Sequence, residues 1–155
     1  VEQRGTLALA GLDFTLTATA DRLELRQDGT VVLVDYKTGR PPSQDAVEAG
    51  LAPQLPLEAA ILAAGGFAAL GPRAPGGLEY WRVSGSGEGG ELRPLKGDPA
   101  TMAAEALEGL RVLVEEFAHA ETPYLVWPRS NVKPRFDDYR DLARVDEWTG
   151  GEGEA

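Results

Sequence analysis

The stretch "VVLVDYKTGRPP", residues 31 to 42, constrains the fold more than any other part of the chain. Apolar, mostly β-branched residues run directly into Asp35, Tyr36 and Lys37, and a glycine and two prolines then stop the run. This pattern predicts a buried strand bounded by breakers. Strand side chains alternate between faces, so Asp35 and Lys37 point the same way.

The preceding residues predict what stands beside that strand. "TLALAG" (6–11) and "FTLTATADRLELR" (14–26) alternate, and "QDG" (27–29) is a turn signal. We expect a three-stranded antiparallel meander with turns near Gly11-Leu12-Asp13 and Gln27-Asp28-Gly29. With a three-residue loop closed by Gly29 in the left-handed region, Arg26 faces Thr30 and Asp21 falls opposite Asp35. One face then carries Asp21, Leu23, Leu25, Val31, Leu33, Asp35 and Lys37. A two-residue turn at Asp28-Gly29 would shift this register and separate the acids.

Opposed carboxylates destabilise a strand pair, and each raises the pKa of the other. Lys37 supplies one positive charge for two acids, and a bridging divalent cation relieves the rest. Hard oxygen ligands suit Mg²⁺ or Mn²⁺. Such a metal polarises a phosphate and acidifies a bound water, while a lysine steadies charge on the phosphate. The spacing therefore predicts a phosphodiester-hydrolysing site. The simpler alternative is an exposed Asp35–Lys37 ion pair worth under ~1 kcal/mol, with Asp21 merely solvated.

Beyond residue 42, "SQDAVEAGLAPQLPLEAAILAAGG" (43–66) predicts helix capped by Ser43, a break near 51–53, and a second helix from Leu55 to Ala64. "LEYWRVSG" (78–85) and "GELRPL" (90–95) predict a hairpin; of Tyr80 and Trp81, one is expected in the core and the other over the 54–64 helix. Asp98-Pro99 opens a helix over 100–120 with an apolar stripe at 103, 106, 107, 110, 114 and 117. His119 is expected at that helix's C-terminal end, as a favourable cation rather than a ligand. The aromatics Tyr124, Trp127, Phe136, Tyr139 and Trp148 are expected to pack on the body. One domain over 1–148 and a disordered tail over 149–155 are expected.

The chain has 155 residues and no cysteine, which excludes disulfides and cysteine-ligated iron–sulfur clusters. We expect a cytoplasmic location and no membrane span. The formal net charge of −10 disfavours a free-standing nucleic-acid binder. The chain opens on Val1, and we expect it to be a domain cut from a longer protein.

The acid in "ADRLEL" (20–25), then "VLVDYKTG" (32–39), then "PQLPLEAA" (53–60), resembles the PD-(D/E)XK nucleases of the RecB-like superfamily. "VEAGLAPQLPLEAAILAAGGF" and "RFDDYRDLARVDEW" resemble the C-terminal nuclease domain of alphaproteobacterial AddB double-strand-break repair proteins. The resemblance implies an α/β fold, a restriction-endonuclease-like mixed sheet flanked by helices. It implies a Mg²⁺-dependent exonuclease acting on DNA single strands at unwound duplex ends, partnered by an AddA-like helicase–nuclease.

Carried over by position, Asp21 and Asp35 are implied metal ligands, joined by the backbone carbonyl of Tyr36, and Lys37 is the catalytic lysine. Gln54 is the polar residue of a QxxxY helix motif, orienting the lysine or contacting DNA. Position 58 is Glu where that motif has Tyr. The family's first helix, whose His or Glu completes the metal site, is expected to be missing. Arg40, and Arg129, Lys133 and Arg135 in "RSNVKPR", are candidate DNA contacts, with a plain strand exit and a solvated loop as the alternatives. The alternative function is a catalytically incomplete nuclease-fold module that docks AddA.

Overall fold

The computed structural model of the protein describes residues 2–85 and 90–123. Val1–Ala118 form one compact unit and His119–Ala155 a second. The expected aromatic packing of Tyr124, Trp127, Phe136, Tyr139 and Trp148, and the tail 149–155, lie outside the described residues.

In the first unit, β1 (Gln3–Ala8) and β2 (Thr15–Ala20) form an antiparallel hairpin, with Leu7 opposite Leu16. A second, four-stranded sheet has the order β3 (Arg22–Leu25), β4 (Val31–Lys37), β5 (Pro75–Arg82) and β6 (Glu91–Pro94). β3 and β4 are antiparallel, β4 and β5 parallel, and β5 and β6 antiparallel. The sheet is therefore mixed.

The β3–β4 register runs from Arg22↔Val34 to Leu25↔Val31, as the three-residue turn predicts. Gly29 sits at φ +84°, where a side chain would be strained. The Asp28 carboxylate closes the turn, accepting from the Thr30 backbone N–H at 2.9 Å and its hydroxyl at 2.7 Å.

The expected single strand over 14–26 and its three-stranded meander need correction. The chain breaks at Asp21, and its halves enter different sheets. Arg26 N–H donates to the Thr30 carbonyl at 2.8 Å. Bonded pairs alternate in an antiparallel ladder, so a continuing strand would next bond Ala20 to Tyr36. Instead the Tyr36 N–H donates to Asp21 Oδ2 at 2.9 Å. The carboxylate takes the donor that the ladder would have used, and β2 is released to pair with β1.

The crossover from β4 to β5 carries two helices. α1 (Gln44–Glu48) is capped by Ser43, whose hydroxyl accepts from Ala46 N–H at 3.2 Å. α2 (Gln54–Ala63) follows the predicted break and begins one residue before the expected Leu55. It is buried around most of its circumference, at Leu55, Pro56, Glu58, Ala59, Ala60, Ile61 and Leu62. The β1–β2 hairpin presses closely on it: a Cβ at Gly5 would lie 2.6 Å from the Phe67 ring and 2.7 Å from Ile61.

α3 (Pro99–Phe117) starts at the Asp98 cap, which accepts from Thr101 N–H at 2.8 Å. Ala103 is buried, and Ala106, Leu107, Leu110, Val114 and Phe117 are half-buried, which is the stripe read from the sequence. The helix ends before His119. Val31, Leu33, Leu78 and Tyr80 on one sheet face join Leu55, Ala59, Ile61, Leu62 and Phe67 in a single core. Among the described residues no helix is long and apolar enough to cross a membrane.

Candidate active site

The alternation of β4 puts Val31, Leu33, Asp35 and Lys37 on the face that α2 covers, so the strand's apolar row ends in charge beneath the helix. Asp35 is 2% exposed. Burying a carboxylate is costly unless it is paired, and Lys37 supplies the pair. Its Nζ lies 3.0 Å from Asp35 Oδ1 and 2.8 Å from Oδ2. Oδ2 is nevertheless buried without a properly directed hydrogen bond. The surface ion pair considered as the simpler alternative is therefore not what the fold builds.

Asp21 closes β2 and projects a half-buried carboxylate across to the Tyr36 N–H. An open hollow of about 640 Å³ lies against it, lined by Glu2, Asp21, Arg22, Leu23, Glu24 and Tyr36. On the opposite sheet face Tyr36 meets Trp81 edge-on at 5.9 Å, and the Arg22 guanidinium lies 5.2 Å from the Trp81 ring. Trp81 thus faces away from α2, a correction to its expected place over that helix. Tyr80 is the core member of the two, at 1% exposure.

From α2, Gln54 reaches the site: its Oε1 accepts from Lys37 Nζ at 3.3 Å. Its Nε2 donates to Glu58 Oε1 at 3.2 Å. Glu58 is 1% exposed, and its Oε2 is buried with no hydrogen-bond partner. Burial pushes the Glu58 carboxyl up to about 7; the Gln54 bond and Lys37 oppose that rise, while the charges of Asp35 and Asp21 add to it. Tyr80 walls the same interior, its ring 5.9 Å from Lys37 Nζ. Burial first, and then Asp35 and Glu58, push its hydroxyl up to about 12.

The fold thus gathers Asp21, Asp35, Lys37, Gln54 and the Tyr36 backbone, all named from sequence, into one place. It adds Glu58 and Tyr80, which sequence reasoning did not assign to the site. The signal for Glu58 was present: it is the one charged residue in "QLPLEAAILA". Arg40 is exposed just past β4. Arg129, Lys133 and Arg135 lie outside the described residues.

The donor set suits a hard divalent cation: two carboxylates from adjoining strand ends, one with a buried oxygen lacking a directed bond. Among the described residues, however, no group of three or more His, Cys, Asp or Glu side chains is assembled to hold a metal.

A mixed sheet flanked by helices, with an acid at the end of one strand and an acid–lysine pair at the end of the next, defines a restriction-endonuclease-like fold. The model of the PD-(D/E)XK nuclease superfamily matches residues 1–130, and the chain belongs to that superfamily. Its members are nucleases that typically use divalent metals.

An uncharacterized protein of Rickettsia felis is 40% identical over 68 residues, covering 43% of this chain and 8% of the relative. An uncharacterized protein of Rickettsia conorii is 38% identical over the same share of each chain. A third, from Rickettsia bellii, is 36% identical over 61 residues, or 39% of this chain and 7% of its own length. The match thus spans less than a tenth of the length of these relatives. No solved structure matches the chain.

Proposed function

We propose that this chain is the Mg²⁺-dependent deoxyribonuclease domain of an AddAB-type helicase–nuclease acting in double-strand-break repair and recombination. Its substrate is DNA single strands at unwound duplex ends, and its partner is an AddA-like subunit. The observation that carries the reading is the buried Asp35 with the Lys37 ammonium beside it, on the strand adjoining Asp21. Buried charged groups held beside a specific charge partner cluster at functional sites.

Asp21, Asp35 and the Tyr36 carbonyl would hold the cation. When bound, Mg²⁺ (or Mn²⁺) supplies Lewis-acid polarisation of the phosphate and a more acidic water. Lys37 contributes a fixed positive charge to a dianionic, pentacoordinate phosphate transition state. Gln54 accepts from that ammonium with its Oε1, alongside the Asp35 carboxylate. Arg40, with Arg129, Lys133 and Arg135, would contact the DNA backbone.

Cleavage of labelled single-stranded DNA in Mg²⁺ tests this reading. Asp35→Ala and Lys37→Ala should each lower the rate by about 10²–10³-fold or more with the fold retained. Either variant cutting at the wild-type rate would remove the catalytic assignment.

A second reading is favoured by the lack of a three-ligand cluster among the described residues. In it the module is catalytically incomplete and docks AddA. Pull-down of an AddA-like subunit by a chain that cuts no DNA in any metal would support it.

A further inference from the structure

Glu58 is an acid buried in an otherwise apolar helix, with one oxygen unpartnered. The core does not need it: an alanine, leucine or methionine would bury there without desolvation cost. Nor does it join a ligand cluster with Asp21 and Asp35. Among the described residues its carboxylate's hydrogen bond is to Gln54, one helical turn earlier on the same face.

That bond has a consequence at Lys37. An ammonium only donates, so the Gln54 amide must turn its oxygen toward Lys37. The amide nitrogen then points the other way and needs an acceptor. Glu58 Oε1 supplies it at 3.2 Å. Gln54 itself is exposed, with a long side chain whose hydrogen bonds among the described residues are to Lys37 and Glu58, whereas Glu58 is buried. The buried carboxyl is the anchor and the exposed amide is what it holds.

We propose that Glu58 is a positioning residue: it fixes Gln54 with its carbonyl toward Lys37 and so steadies the ammonium beside Asp35. This rests on the nuclease reading of the same site. The chain Glu58–Gln54–Lys37–Asp35 links the helix to the strand through polar contacts of 3.2, 3.3 and 3.0 Å.

The test compares the whole chain with Glu58→Met, Glu58→Gln and Gln54→Ala, in single-stranded DNA cleavage and in the side-chain amide region of a ¹H–¹⁵N spectrum. The Gln54 amide signal is assigned by its loss in Gln54→Ala. Glu58→Met should lower kcat about 10- to 100-fold, the range for partners that orient a reacting group, with KM for DNA little changed. Its Gln54 amide should move to the position of a free glutamine. Glu58→Gln keeps an acceptor oxygen and should restore both kcat and the amide position. Gln54→Ala, at an exposed position that cannot disturb the core, should reproduce the kcat loss.

Wild-type kcat in a folded Glu58→Met or in Gln54→Ala overturns the proposal. So does a Gln54 amide that ignores Glu58→Met. Should the wild type itself cut no DNA, the nuclease reading fails separately. The amide shift alone then decides whether Glu58 holds Gln54.

Discussion

At the scale of single residues, two buried acids set the behaviour of this protein, and their partners differ. Asp35 has a full counter-charge in Lys37; Glu58 has only an amide. Removing the lysine therefore strands a charge. Lys37→Met should cost about 2 kcal/mol at neutral pH, less than for a fully buried pair because Lys37 is itself partly exposed. The double variant Asp35→Asn/Lys37→Met should recover most of that loss in urea denaturation. Equal stability of Lys37→Met and wild type would show that Asp35 is solvated after all.

Glu58 gives a pH signature of the opposite kind. In the fold its carboxyl titrates at about 7, against 4.5 for an ordinary glutamate. Between those values the folded chain holds a proton that the unfolded chain has released, so stability falls as pH rises through the window and levels off above it. The whole effect is about 3 kcal/mol, at ~1.36 kcal/mol for each pH unit. The charges facing Glu58 are Asp35, Asp21 and Lys37, with Gln54 as its hydrogen-bond partner and Tyr80 a neutral neighbour at these pH values. Glu58→Gln cannot ionise. It should be more stable than wild type at pH 8 and nearly equal to it at pH 4.5, by urea denaturation at both. A difference that does not change with pH would mean the carboxyl is not desolvated.

At the scale of elements, the site depends on how closely the β1–β2 hairpin sits on α2. Gly5 allows that approach, since a methyl group there would overlap Phe67 and Ile61. Gly5→Ala should cost about 1–3 kcal/mol, as overpacking of a filled core does, and lower the thermal midpoint. An unchanged midpoint would show that the hairpin rides on the helix loosely.

The same elements show what could be read in advance. The β3–β4 register was legible because Asp28 and Gly29 specify the turn, and a turn fixes its flanking pairs. The Asp35–Tyr36–Lys37 strand end was legible because a breaker ends an apolar run there. The break at Asp21 was not, since "TATADRLEL" alternates straight through it and only a long-range bond to Tyr36 reveals the change of sheet. Parallel pairing of β4 with β5 leaves no local mark, because its strands meet through a long crossover. Glu58 stood only as a departure from a motif. Its meaning required knowing that α2 is covered nearly all round, which depends on the hairpin, the sheet and α3 together.

At the scale of the whole molecule, the proposed function has an acidic chain act on a polyanion. The net charge of −10 repels DNA at distances short of the Debye length. The acids of the site add to that repulsion, and a bound cation would relieve it. Binding must then draw on divalent metal, on the few candidate cations such as Arg40, or on a basic partner subunit. The chain alone, in a chelator at physiological salt, should bind single-stranded oligonucleotides no more tightly than about 10⁻⁴ M, the weak end of non-specific association. Added Mg²⁺ should tighten binding, and Asp35→Ala should remove that gain without weakening the chelator value, since it takes away one of the repelling acids. Fluorescence anisotropy with a labelled oligonucleotide reads all of these. Micromolar binding in chelator would mean that a cationic surface outweighs the net charge, and no partner would then be needed to hold the strand. Weak binding that metal improves only through Asp35 would place the electrostatic balance of the protein at its active site.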